Sequence, residues 1–201
     1  MEITEREALG NATDGYAALP GLPAQPHQSA RVTRAVVLAA GRGERMRAVA
    51  PGVVLEPAQA ARRRQAPALA RLVTLSLEQE PGAWSPALPS RADALTRALR
   101  AALPEEPGSA AYHRLIVDHT GERWRTREWS LVEPRALGSL PAGWQLWHPV
   151  ESIGDTGPAF VPLAVGWATH AFAHHYAGPG GILVGAMSRA GERAVVALMP
   201  S

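Results

Sequence analysis

Several groups of side chains in this sequence have the types and spacing that chemistry needs. Asp118 and His119 lie in Asp118-His-Thr-Gly-Glu122, directly after the apolar run Arg114-Leu-Ile-Val117, and so stand at the end of a strand. Glu151 and Asp155 lie in Pro149-Val-Glu-Ser-Ile-Gly-Asp-Thr-Gly-Pro-Ala-Phe160, between a Trp-rich run and a long apolar segment. Strand, tight polar loop and helix N-terminus is the arrangement that sets backbone N–H groups and side chains at the carboxyl end of a strand. His170 and His174 share a helix face at i, i+4, a spacing that can hold a metal; no acidic residue is interleaved and no third ligand is evident. Histidines near a helix C-terminus also interact favourably with its dipole. Gly41, Gly43 and Arg45 follow the strand-like run Ala35–Ala40, where a glycine turn can wrap phosphates with backbone N–H groups and an arginine can balance their charge. Ser188, in Ala-Met-Ser-Arg-Ala, lacks the Gly-x-Ser-x-Gly elbow of a serine hydrolase. There is no cysteine, and all 20 basic residues are arginine. These residues therefore offer no thiolate nucleophile, disulfide, thiolate zinc site or catalytic lysine.

The elements that must position these groups follow from periodicity. Ala35–Ala40 reads as a buried strand of a parallel sheet, and Gly52-Val-Val-Leu-Glu56 as a second strand. A short helix follows from Pro57 to Gln65. Leu69 to Glu78 alternates, which places Val73, Leu75 and Leu77 on one side of a strand. Ser90 is placed to cap a helix over 91–103 that Pro104 stops. Arg114–Val117 is a buried strand; Glu122 to about Val132 is helical, with Pro134 as its limit. Trp144–Pro149 is a strand, and the helix after the loop should bury Phe160, Leu163, Trp167, Ala171 and Phe172. Ile182–Met187 and Arg193–Met199 form a hairpin. Strands alternating with helices and closed by a hairpin make an α/β protein with a sheet mixed at one edge. Residues 1–30 carry little pattern and contain a proline-rich stretch, so they are expected to be poorly ordered or loosely packed, with one domain over 31–201.

Taken in order, these pieces resemble the C-terminal half of a β-ketoacyl synthase, of the thiolase-like superfamily. Gly52-Val-Val-Leu-Glu-Pro-Ala-Gln-Ala-Ala-Arg-Arg-Arg-Gln-Ala66 looks like the family's Gly-Val-Leu-Val-Leu-Glu strand and the Ala/Arg helix after it. The helix over 91–103, the strand 114–117 and the loop 118–122 look like the segment leading to its His-Gly-Thr-Gly-Thr loop, with Glu128 in the place of the glutamate that follows. The 149–160 stretch looks like its Lys-x-x-x-Gly-His loop, and the hairpin like its closing strands. The resemblance implies a thiolase-like half-fold, a mixed sheet packed with helices. The chemistry is altered: Asp118 stands where the first histidine is expected, Val150 where the lysine is, and Asp155 where the second histidine is. The family's histidines donate hydrogen bonds to a developing oxyanion, whereas an ionised carboxylate only accepts. His119 could swing into its neighbour's role. The reading is thus a retained fold without condensing activity, acting as a binding, scaffold or assembly-partner module. Divergent relatives without the cysteine also occur beside bacterial type VI secretion genes.

Two other readings stay open. Leu38-Ala-Ala-Gly-Arg-Gly-Glu-Arg-Met46 matches a nucleotidyltransferase pattern, although the proline–lysine that follows there is Pro51-Gly52 here. The chain could also be one half of a split condensing enzyme. On the family's architecture the face toward the second half should be apolar, so a protein partner or self-association is expected through it. An acyl carrier protein is a further partner, met by the basic run Arg62-Arg-Arg64. No cofactor and no metal are implied. A net charge of +2 with scattered basic residues argues against nucleic acid. No stretch reads as a signal peptide or membrane span, so a cytoplasmic location is expected.

Overall fold

The computed structural model describes residues 28–30, 35–39, 53–81, 89–104 and 111–201, with side chains from 55 onward. Among the described residues eight strands form one mixed sheet. Its five-stranded core runs β6 (Gln145–Trp147), β5 (Tyr112–Val117), β7 (Gly181–Met187), β8 (Glu192–Pro200), β4 (Ala70–Gln79). β5 is parallel to both β6 and β7, while β8 runs antiparallel to β7 and β4. Beyond β4 lie β1 (Gln28–Ala30), β2 (Ala35–Ala39) and β3 (Val53–Pro57), all paired antiparallel. The run Ala35–Ala39 is therefore not a parallel-sheet strand as its unbroken apolar sequence suggests. A short apolar run does not carry strand direction.

The sheet faces divide by the period of two. Leu115, Val117, Leu183, Val195 and Ala197 point into a core with α2 (Asp93–Ala102) and α3 (Arg123–Ala136). Ile116, Ile182, Val184, Val196 and Leu198 point to the other face, under α5 (Phe160–Ala173). Leu95 and Leu99 of α2 are fully buried, each stabilising by about 1.5–3 kcal/mol. A short α1 (Ala58–Arg63) follows β3, with Pro57 at its N-cap. Among the described residues no helix is long and apolar enough to cross a membrane.

Four local expectations are corrected. Leu75 and Leu77 are exposed (37% and 51%) while Ser76 between them is buried, because the β4–β8 register shifts between Leu72 and Thr74 and the side chains beyond the irregularity change faces. Ser90 does not cap the helix directly. The helix begins at Asp93, Ser90 Oγ accepts the Ala92 N–H, and Glu80 from the end of β4 takes the capping role. α3 runs through Pro134 to Ala136; so close to the helix end, a proline forfeits one ladder hydrogen bond without stopping the helix. In α5 the buried residues are Phe160, Ala164, Val165, Ala168, Thr169 and Ala171, and Leu163, Trp167 and Phe172 are only half-buried. The apolar sequence of α5 shows little preference between faces, so sequence alone cannot phase it.

Candidate functional site

β5 and β6 are adjacent parallel strands whose outgoing chains leave on opposite faces. β5 leads to α3, and β6 leads through α4 (Val150–Ile153) to α5. In open α/β sheets ligands bind at the carboxyl ends of strands where the outgoing chains diverge in this way. The loops 118–122 and 148–157 meet there, and a helical turn, α4, occupies part of what reads in sequence as an open loop.

Asp118 is only 6% exposed. Its Oδ2 accepts from Arg125 Nη1 and from the Met187 N–H at 2.7 Å, while Oδ1 is buried without a partner among the described residues. Burial pushes the Asp118 carboxyl above its ordinary range, against the pull of Arg125 and the Met187 N–H. Arg125 also donates to the Asp118 carbonyl (3.0 Å) and to Glu122 Oε2 (2.9 Å), and Arg189 donates to Glu122 Oε1 (2.5 Å). Burial alone would raise Glu122; Arg189 and Arg125 outweigh it and hold the carboxyl low. Asp118 thus ties the end of β5 to α3 and to β7.

Val150 is half-buried and packs against the core under α5. Asp155 is exposed, and its Oδ1 accepts the Gly157 N–H at 2.8 Å, closing a turn before α5. Glu128 is fully buried on α3 and takes a two-pronged ion pair from Arg193 of β8, at 2.7 and 2.6 Å. Arg193 lies 5.3 Å from the Trp124 ring centre and Arg125 lies 4.7 Å from it, so one indole stacks against both guanidiniums. Val150 and Asp155 offer no side-chain hydrogen-bond donor to an oxyanion, and Asp118 Oδ2 is taken up by Arg125 and the Met187 N–H.

His119 Nε2 lies 2.9 Å from Thr126 Oγ1, and its ring centre lies 5.7 Å from that of His148. Burial, His148 and Arg125 lower its affinity for a proton, opposed by Glu151, so His119 is neutral at pH 7. His148, Arg125, Arg193 and Glu80 are not singled out by sequence. His148 directly precedes Pro149 and could have been found by asking which side chains end β6. The arginines are invisible without knowing their carboxylate partners. His170 and His174 have ring centres 4.1 Å apart, and His170 Nδ1 meets the Tyr176 hydroxyl at 2.9 Å. Among the described residues no three His, Cys, Asp or Glu side chains form a metal cluster. Gly41, Gly43 and Arg45 lie outside the described residues.

No family model matches the sequence, and no curated protein does. Solved structures do match. The ishigamide ketosynthase/chain length factor is 17% identical over 74% of this chain and 42% of its own, with a TM-score of 0.59. A β-ketoacyl synthase from Burkholderia phymatum STM815 is 16% identical over 74% and 42%, with a TM-score of 0.57. An oxazolomycin ketosynthase domain from Streptomyces albus JA3453 is 17% identical over 74% and 33%, with a TM-score of 0.57. The chain thus spans less than half the length of each of these structures. A mixed sheet with helices on both faces and these likenesses together show a thiolase-like half-fold, the fold of the β-ketoacyl synthases.

Proposed function

We propose that this chain is a thiolase-like module without condensing activity that binds a protein partner on the α5 side of its sheet. The observation that carries the reading is the use made of Asp118. Where the resemblance expects a hydrogen-bond donor, this carboxylate is buried and engaged by Arg125 and the Met187 N–H. Val150 and Asp155, at the other two positions, serve packing and a turn.

The partner surface has its own support. α5 is apolar on nearly every side, the composition of a helix that is covered all round, yet Leu163, Gly166, Trp167 and Phe172 remain half-exposed. Leu75 pairs with Val196 and so faces the same side, and Leu77 lies two residues further along that face. At 37% and 51% exposure, both are uncovered. An apolar area of this kind is a protein-binding surface, and its occupant in our reading is a second thiolase-like half. The exposed Arg62 and Arg63 of α1 suit an acidic carrier protein as a second contact. The proposed context is a bacterial cytoplasmic assembly such as type VI secretion, which gene adjacency checks.

The experiment is incubation of the purified chain with malonyl- and acyl-loaded carrier protein. We expect neither carbon dioxide release nor a condensed product, and either would overturn the reading.

A further inference from the structure

We propose that His119 and His148 form a binding site for one divalent transition-metal ion of the zinc, nickel and copper class, at the carboxyl ends of β5 and β6. Two imidazoles on one tetrahedral ion, with metal–nitrogen bonds of about 2.0–2.1 Å, hold their ring centres roughly 5–5.5 Å apart. The separation of 5.7 Å, with a tilt of 54°, is near that value. The pair that the sequence favours, His170 and His174, is closer than one tetrahedral ion allows, at 4.1 Å. One of its nitrogens is also engaged by Tyr176.

The hydrogen bonds around His119 prepare it as a ligand. The Thr126 hydroxyl donates to the Glu122 carbonyl at 3.1 Å, so its oxygen accepts from His119 Nε2–H at 2.9 Å. In that tautomer the Nδ1 lone pair has no hydrogen bond among the described residues. A metal-bound imidazole characteristically donates its other N–H to such an outer partner, which sets ring orientation. Among the described residues no third His, Cys, Asp or Glu completes a cluster, so the bound ion keeps water or open positions beside Glu151, one helical turn beyond His148. The site stands whether or not the chain condenses acyl groups.

The test uses the untagged full chain and zinc alone, titrated against a chromogenic chelator. One equivalent should bind. His119→Gln and His148→Gln should each weaken binding by at least about tenfold, and Thr126→Val by about 10–100-fold although it removes no ligand. The His170→Gln/His174→Gln double variant should bind as the parent does. Absence of saturable zinc binding overturns the proposal. So does binding that survives the His119→Gln/His148→Gln double variant, or that disappears with His170 and His174. If a variant fails to fold, nitrogen-15 histidine spectra of the parent decide. Zinc must shift the His119 Nδ1 and His148 signals, and a spectrum in which they stay in place overturns the site.

Discussion

Glu80 sits at the end of β4, 3% exposed, and its carboxylate accepts from Ser90 Oγ (2.9 Å), the Arg91 N–H (3.0 Å) and the Ala94 N–H (2.6 Å). Burial pushes its proton affinity up, and these donors more than offset the push, so the carboxyl lies below its ordinary range. Glu80→Gln should destabilise the protein by about 1.5–3 kcal/mol at pH 7, the worth of hydrogen bonds to a charged group. A carboxyl depressed on folding stabilises above its unfolded value of about 4.3 and loses that contribution as pH falls through the folded value. The gap between parent and Glu80→Gln in urea unfolding should therefore be full above about pH 5 and shrink below about pH 4. A gap independent of pH would contradict the assignment. The Glu128–Arg193 pair behaves differently because both side chains are fully buried. Either single change, Glu128→Leu or Arg193→Met, should cost about 3–5 kcal/mol by stranding the other charge, and the double variant should cost far less. Additive losses in a double-mutant cycle would show that the two do not act as a pair.

At the scale of elements, the close approach of β7 to β8 sets a sharp limit on side-chain volume. A Cβ at Gly181 would lie 2.3 Å from the Leu198 carbonyl oxygen and 2.5 Å from Met199 Sδ. Gly181→Ala should therefore cost about 1–3 kcal/mol or more in thermal or urea unfolding. Stability equal to the parent would mean that the strands are less tightly apposed. The order of the core elements from β3 onward is legible in sequence, because buried runs such as Leu115–Val117 and punctuators such as Pro104 act locally. The faces are not. A single register irregularity in β4 reverses Leu75 and Leu77, and nothing in an alternating sequence marks where an extra residue is accommodated. α5 hides its phase for another reason: a helix apolar on most sides has no preferred face until the sheet supplies one. The strand-end loops can be placed from the sequence, and so can Asp118, Val150 and Asp155 within them. What holds Asp118 cannot, since Met187 stands 69 positions away in the chain.

Among the described residues, one apolar helix face is half-exposed and part of a sheet face is exposed. Gly166 lies inside α5, and a Cβ there would meet nothing within 4 Å. In the isolated chain Gly166→Ala should stabilise by about 0.5–1 kcal/mol, the ordinary gain of removing a helical glycine. With a partner seated against α5 the same change should weaken association, and light scattering across concentration separates the two. The central claim is that the strand-end frame is retained while its reactive positions have become structural. Equilibrium urea unfolding of Asp118→Ala at pH 7 tests this most directly. Arg125 keeps Glu122, but its guanidinium and the Met187 N–H lose their buried acceptor, so the account predicts a loss of about 1–3 kcal/mol. A group kept for chemistry is held at a cost to stability, and its removal leaves the fold as stable or more so. An Asp118→Ala variant as stable as the parent would contradict the account.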